Sequence, residues 1–563
     1  MRRPPALLVF VSMLLLALGA TGGALMSVLQ PQIRQYASER IFAAREVHTL
    51  SGSRDYDADV VNEIVFTIEA GLSFFHTHGE GMGLVLLFAA ALVASLARPR
   101  MLRGGLQWLL GLSALFPIGY LAYSAFILVY GRDRGIALAE RLLLIPAGSS
   151  AILALAGLAG AAGLLLVNRR LRRTGEVLLP STPPTDADNA DDRDGWKRPP
   201  RAVVLAAVLL IALAELGGAA MGGFKAEIDS FTSARVRERP DLHGLVGSPD
   251  VDAEILEEIR VKADAGLRLF HLHGEGVGLM LFAAALVIAT YVSAPRLRWV
   301  LYAALTVGGF VFPFGYLVRS GLIPFRGVDA ARTAAAFSVL VPSGILLLLA
   351  LWTLLLPLGR VLLARRRDAT GDIPARPEGS QAGRSVRPPL LVLVVAALVL
   401  LVLAEVGGGV MTAFKVDLDR ARRAQAEARP LVHGLVGVRQ IDGPVIDALL
   451  SRADFALRLF HLHGEGMALV MVAGGIIVRN FVSARALAGL LQAMLAVGGF
   501  LYRFGYLAWS LMIPVLGLQP SRDLAEAFLW IPFGGAALVA MGVTALVLAS
   551  ELLLAAGASP GGP

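Results

Sequence analysis

The 563-residue chain contains no cysteine. That excludes a disulfide-stapled secreted scaffold, a zinc–thiolate site and a cysteine nucleophile together. Charge is scarce too: Asp, Glu, Lys and Arg make up 17% of the chain, against about 25% in soluble domains. With 56% hydrophobic residues and a mean hydropathy of +0.67, the chain cannot clothe a soluble surface. A lipid bilayer is the expected solvent. No phosphate-binding glycine loop, GxSxG nucleophile or HExxH motif occurs. The net charge of +8 does not signal a nucleic-acid partner. The basic residues gather at the ends of apolar segments, where they set topology rather than form a patch.

What the chain does have is repetition. Two Pro-, Gly- and charge-rich islands, at about 168–201 and 365–389, read as linkers and divide it into three apolar blocks. The segment FFHTHGEGMGL at 74–84 returns as LFHLHGEGVGL at 269–279 and LFHLHGEGMAL at 459–469, offsets of 195 and 190 residues. Gly22-Gly23 with Met26 matches Gly217-Gly218 with Met221 and Gly407-Gly408 with Met411. PIGYL at 117–121 returns as PFGYL at 313–317 and RFGYL at 503–507, and Pro146, Pro342 and Pro532 mark a fourth segment. Each block holds four apolar stretches, in the first at roughly 6–28, 70–97, 105–130 and 137–167. A span takes about 20 residues. The expected fold is therefore all-α and integral to the membrane: twelve transmembrane helices as three pseudo-symmetric four-helix repeats. The repeats are expected at 1–170, 201–365 and 390–556, with linkers at 171–200 and 366–389. The first apolar stretch could pass for a signal peptide, but its GG-x-x-M pattern recurs twice internally, where no signal peptide acts.

Lys and Arg set the orientation. Arg2, Arg3, Arg98, Arg100, Arg103, the arginines at 169–173, Arg296, Arg298 and those at 365–367 fall on one side. That side is expected to be cytoplasmic, with the N-terminus and both linkers, in a bacterial inner membrane. The outer loops end in helical patterns such as AEILEEIRVKADAGLRLF, so the second helix of each block is expected to begin outside the bilayer.

All nine histidines lie on the repeat. His76, His271 and His461 are equivalent, as are His78, His273 and His463. His48, His243 and His433 fall in the outer loops, 28 residues before the first set. Membrane histidines can serve as hydrogen-bonding glue between helices, and loop histidines as caps or turn contacts. The sharper reading is ligation, since imidazole is a common metal ligand and an axial ligand of haem. Residues i and i+2 point about 200° apart on a helix, so the two histidines of one motif cannot share a small ion. Each can instead meet a histidine of a neighbouring repeat. A ring of the three second helices then makes three sites, each suited to a planar cofactor with two axial imidazoles. One pairing is His76 with His463, His461 with His273 and His271 with His78; the opposite ring direction is equally allowed.

The neighbouring residues extend the candidate sites. Gly79, Gly81, Gly274, Gly276, Gly464 and Gly466 follow the histidines at a cost of about 1 kcal/mol each against Ala. A macrocycle packed on the backbone accounts for that cost, and so does small-residue helix packing. Glu80, Glu275 and Glu465 recur in all copies, and intramembrane carboxylates are functional candidates by default. They suit orientation of a histidine N–H or proton transfer. Arg268 and Arg458 lie one turn outward, placed to pair with haem propionates or to snorkel to the interface, while the first copy has Ser73 there. Glu215 and Glu405 sit in the first helices of the second and third copies where the first copy has Ala20, so the sites are expected to differ.

Twelve helices in three groups of four, with histidines on the second, sixth and tenth, resemble the haem-copper oxidase catalytic subunit. In that family the second helix carries a haem-ligating histidine followed by glycine, similar to His78-Gly79. The tenth carries a His-x-His serving two haems, as His461-Leu462-His463 would. The resemblance covers the architecture of the whole chain but only a few residues per copy. It departs where the copper site belongs: the seventh helix, at about 298–323, has no histidine, and the family's histidine-crosslinked tyrosine has no evident counterpart. It therefore implies the scaffold and the haem-ligating helices, without the copper site or oxygen reduction.

The expectation is a membrane b-type cytochrome, an oxidoreductase or electron-transfer protein with up to three bis-His haem b groups near the outer face. Electrons would come from a quinol or another redox protein. Two alternatives stay open: a copper or zinc protein in which the loop histidines join the His-x-His motifs, and a proton-coupled transporter with helices broken at Pro146, Pro342 and Pro532.

Overall fold

The computed structural model describes residues 1–97, 99–174, 195–368 and 385–557. Arg98 and most of both expected linkers lie outside the described residues. The described residues form helices and no strands. Twelve helices are long and apolar enough to cross a membrane, which makes a lipid bilayer the fitting environment. They are α1 (Ala6–Ala43), α2 (Arg54–Leu96), α3 (Arg100–Tyr130), α4 (Arg132–Asn168), α5 (Arg201–Met221), α6 (Pro249–Tyr291), α7 (Pro295–Arg326), α8 (Val328–Ala364), α9 (Leu391–Met411), α10 (Arg439–Phe481), α11 (Arg485–Leu516) and α12 (Leu518–Leu554).

Helices α2, α6 and α10 carry the His-x-His motifs and form the interior. Their most apolar windows are 78, 83 and 78% buried, against 33–50% for the other nine helices. Each is 43 residues long, about 64 Å at 1.5 Å per residue, roughly twice the hydrocarbon thickness. Each is therefore longer than a span needs, as an extended second helix requires. The other side of each loop between the first and second helices is helical too: α1 continues to Ala43, and short helices at Lys225–Arg237 and Lys415–Glu427 follow α5 and α9. Along the apolar halves all three blocks share one core; in the other halves each has its own small cluster, such as Ile41, Val61 and Ile64 in the first.

Contacts between blocks run in one direction. Helix α4 packs on α9, α8 on α1 and α12 on α5, so each fourth helix leans on another block's first helix. At the end where α1 begins, three segments close a ring of backbone hydrogen bonds. The Met1 amino group donates to Val386 O, Val386 N–H to Trp196 O (2.9 Å) and Trp196 N–H to Met1 O (3.1 Å). The following residues tie down to the ends of the central helices: Arg2 N–H to Ser95 Oγ, Lys197 N–H to Thr290 Oγ1 and Arg387 N–H to Asn480 Oδ1. The expected linkers therefore end early, because residues 195–200 and 385–390 belong to this plug.

Prolines shape the third and fourth helices. Pro117 and Pro313 lack an N–H, and α3 and α7 each break into two segments just before or at that point, after Ser113 and Val311. The third block has Arg503 at this position, and α11 runs unbroken. Pro146, Pro342 and Pro532 do not break their helices as expected. The chain widens into π-helical turns at Glu140–Leu144, Ala336–Leu340 and Glu526–Gly534, which absorb the missing donor without ending the helix.

An aspartate secures the start of each central helix. Asp252 accepts the N–H groups of Val246 (2.8 Å) and Gly247 (3.1 Å), and Asp57 and Asp442 make the equivalent contacts. A charged acceptor of this kind contributes about 1.5–3 kcal/mol. Asp252→Ala should therefore lower stability in detergent by about that amount, read as a shifted thermal melt, and Asp252→Asn should recover part of it.

Candidate functional site

The six His-x-His imidazoles meet in three pairs, each between two blocks. His76 faces His273 with ring centres 6.1 Å apart, His271 faces His463 at 5.6 Å and His461 faces His78 at 6.5 Å. The planes of each pair are inclined by 26–33°. The ring direction is opposite to the pairing written out from the sequence: each first-position histidine meets the second-position histidine of the block that follows. Packing decides this, because the fourth-to-first helix contacts fix which side of each central helix meets which neighbour.

The first helix of each block holds the first histidine. His76, His271 and His461 place Nδ1 2.9 Å from the backbone carbonyls of Gly19, Ala214 and Ala404. In a helix those carbonyls are covered by the residue four further on, here Gly23, Gly218 and Gly408. A Cβ on any of the three would lie 2.6–2.9 Å from the imidazole. The second glycine of the GG-x-x-M signature is thus the opening through which the ring reaches the carbonyl. A carbonyl can only accept, so Nδ1 carries the proton and Nε2 keeps its lone pair. His78 and His273 likewise donate Nδ1–H to Phe74 O and Leu269 O of their own helices, at 2.9 Å.

Of the two readings of the motif glycines, small-residue packing describes three of them. Gly79, Gly274 and Gly464 sit against Gly19, Ala214 and Ala404 of the first helices, as small-residue packing requires. Gly81 and Gly466 face Glu465 and Glu275 of the preceding block, while Gly276 borders open space. The glutamates lie at the pairs: Glu80 is 3.5 Å from His76 Nδ1 and Glu465 is 3.3 Å from His461 Nδ1. Ligand atoms of His271, Glu275 and His463 lie within 4.8 Å of one another, as do those of Glu405, His461 and Glu465. Arg268 and Arg458 point outward to solvent, Arg268 approaching Asp264 at 3.7 Å.

The tyrosines of the GYL motifs have a place at the pairs that the sequence alone does not disclose. Tyr120, Tyr316 and Tyr506 pack on the second histidines, with ring centres 4.7, 4.6 and 5.1 Å from His78, His273 and His463. Tyr316 Oη lies 3.4 Å from His273 Nε2. Their recurrence in PIGYL, PFGYL and RFGYL was the available signal. The third block adds Trp530, packed on Tyr506 where the other blocks have Leu144 and Leu340, and the fully buried Arg503.

The loop histidines stay apart from the pairs. His243 and His433 donate Nε2–H to the carbonyls of Pro324 (3.1 Å) and Pro514 (3.0 Å), near the outer ends of α7 and α11. Those carbonyls lie eight residues beyond Tyr316 and Tyr506, about 12 Å along the helix. The expectation that loop histidines complete a metal site is therefore replaced by helix-end capping. His48 occupies the equivalent place beside Leu128, buried at 3% exposure. Burial lowers its pKa from the usual 6.5, the Leu128 carbonyl working the other way. The unfolded chain then takes up a proton near pH 6.5 that the folded chain refuses until lower pH. Stability should be full above pH 6.5 and decline as pH falls toward the folded value. Melts at pH 7.5 and 5.5 should show a smaller loss for His48→Phe than for the natural chain.

Comparisons with family models, curated proteins and solved structures return no match.

Proposed function

We propose that the protein is a membrane b-type cytochrome that holds up to three haems, one at each inter-block histidine pair, and carries electrons near the outer face. The observation that carries this reading is the common geometry of the three pairs. A ring centre sits about 3 Å from a metal ligated at about 2.0 Å. Two imidazoles on opposite sides of one iron then have centres about 6 Å apart, and the three pairs span 5.6–6.5 Å. Two ligands at a tetrahedral ion would bring the centres to about 5 Å. The anchored Nδ1 atoms add to this, since ligating histidines characteristically donate their other nitrogen to a carbonyl or carboxylate.

In this reading the three blocks are copies of one unit about a pseudo-threefold axis. The three-way backbone ring and the one-way helix contacts support it. The scaffold is then of the haem-copper oxidase kind without its copper site. The arginine-rich end faces the cytoplasm of a bacterial cell, with the N-terminus, and the histidine pairs lie toward the outside. Haem supplies one-electron transfer when bound. The chain fixes the tautomer of His76, His271 and His461 through the first-helix carbonyls and that of His78 and His273 through carbonyls of their own helices, and excludes water with Phe, Tyr and Trp rings. It sets different ionisable neighbours at each pair: Glu80 beside His76, Glu405 and Glu465 beside His461, and Glu215, Glu275 and Arg503 around the His271–His463 pair. Unequal midpoint potentials follow. A quinol or another redox protein is the proposed electron source.

Absorbance of the purified chain, oxidised and then reduced, tests the reading. A Soret band and sharp low-spin bands on reduction are expected; no Soret band, even after added haemin, would refute it. The two His/Glu clusters give a specific ground for a second reading, a copper or zinc protein. Elemental analysis with copper or zinc bound and no iron would select it.

A further inference from the structure

Arg503 is the largest fully buried side chain among the described residues, at 0% exposure. Nε, Nη1 and Nη2 all lack a hydrogen-bond partner among the described residues. The guanidinium lies over the Tyr502 ring, 4.4 Å from its centre, and makes no ion pair among the described residues. Glu275 and Glu215 lie near enough to interact with each other, and Glu275 feels the charge, yet neither carboxylate accepts a hydrogen bond from the guanidinium, and Glu275 Oε1 and Glu215 Oε1 are buried without a partner. An unpaired cation in the interior of a membrane bundle is costly, and guanidinium offers five donors in a planar fork that matches a carboxylate. Pro117 and Pro313 hold the corresponding place in the other blocks, so this donor set exists once. It lies one helical turn from Tyr506, which stacks on His463.

From this we infer that Arg503 is the anchor of a carboxylate-binding subsite beside the His271–His463 pair, absent from the other two pairs. The inference rests on the cytochrome reading only for one of two sources of the carboxylate. It is either a propionate of the haem held by this pair or a small free carboxylate.

The test compares the full chain with Arg503→Met and Arg503→Lys, in detergent, with two probes. The first is sodium propionate added to the haem-free chain, read as thermal stability. The second is titration with haemin and with haemin dimethyl ester, whose propionates are blocked. A free-carboxylate site predicts that propionate raises the melting temperature of the natural chain, has no effect on Arg503→Met and has a reduced effect on Arg503→Lys. A propionate anchor predicts at least tenfold weaker haemin binding at one site in Arg503→Met, and the same loss at one site when the ester replaces haemin in the natural chain. The inference is overturned if propionate stabilises neither chain and haemin and its ester fill the same sites in both; Arg503 then serves only as a nearby counter-charge to Glu215 and Glu275. If haemin binds nowhere, the propionate arm still decides the subsite, and it is the cytochrome reading that fails.

Discussion

A chain carrying both His76→Ala and His273→Ala should lose one low-spin haem centre, whereas His76→Ala combined with His463→Ala should lose two. The first pair of residues faces each other across one site, at 6.1 Å between ring centres. In the second combination each substitution breaks a different pair, since His463 faces His271. A low-spin centre needs both axial imidazoles, so either substitution alone already removes its site, and the second member of the same pair adds nothing. Low-spin signal per chain, by electron paramagnetic resonance, should fall by about a third in the first variant and about two thirds in the second. The opposite ring direction predicts the reverse order. This comparison therefore separates inter-block pairing from a general loss of fold, which would reduce both variants alike.

Gly218→Ala should disable the His271–His463 site while leaving the other two. The added Cβ would lie 2.8 Å from His271 Nδ1, closer than real side-chain contacts allow. The imidazole yields before the backbone does. It then loses its bond to the Ala214 carbonyl, about 1 kcal/mol, with about 1–3 kcal/mol of overpacking strain. The expected result is a modestly lowered melting temperature, one low-spin centre lost, and the remaining spectrum unchanged. Gly223→Ala is the control, because nothing lies within 4 Å of its added Cβ. If Gly218→Ala kept every centre, the glycine opening would not be what positions the histidine.

Much of this architecture was legible in the sequence because it is written three times. The twelve apolar stretches, the inward second helices and the register of nine histidines all follow from residues that recur at fixed offsets. Helical periodicity alone also dictated that the two histidines of one motif serve different sites. The direction of pairing was not legible, because a ring read clockwise or anticlockwise uses the same six residues. Tertiary contacts between fourth and first helices decide it. The roles of the glycines were only half visible. Composition marks them as costly within helices, but whether each admits an imidazole, a neighbouring glutamate or another helix depends on which backbone lies opposite. Arg503 stood in plain view as the one departure from proline in the GYL motif. Its importance rests on burial, which no local pattern discloses. The prolines of the fourth helices misled in the other direction: a proline predicts a break, but a π turn accommodates it at less cost.

The central claim is that three histidine pairs each hold one haem. It is tested most directly by the ratio of haem to protein in the full chain, purified from membranes of cells supplied with haem precursor. Pyridine haemochrome analysis gives the numerator and amino-acid analysis the denominator. The account predicts a b-type spectrum and a ratio approaching three. A chain that is folded by its thermal melt yet carries no haem, and takes up none from haemin, would contradict it.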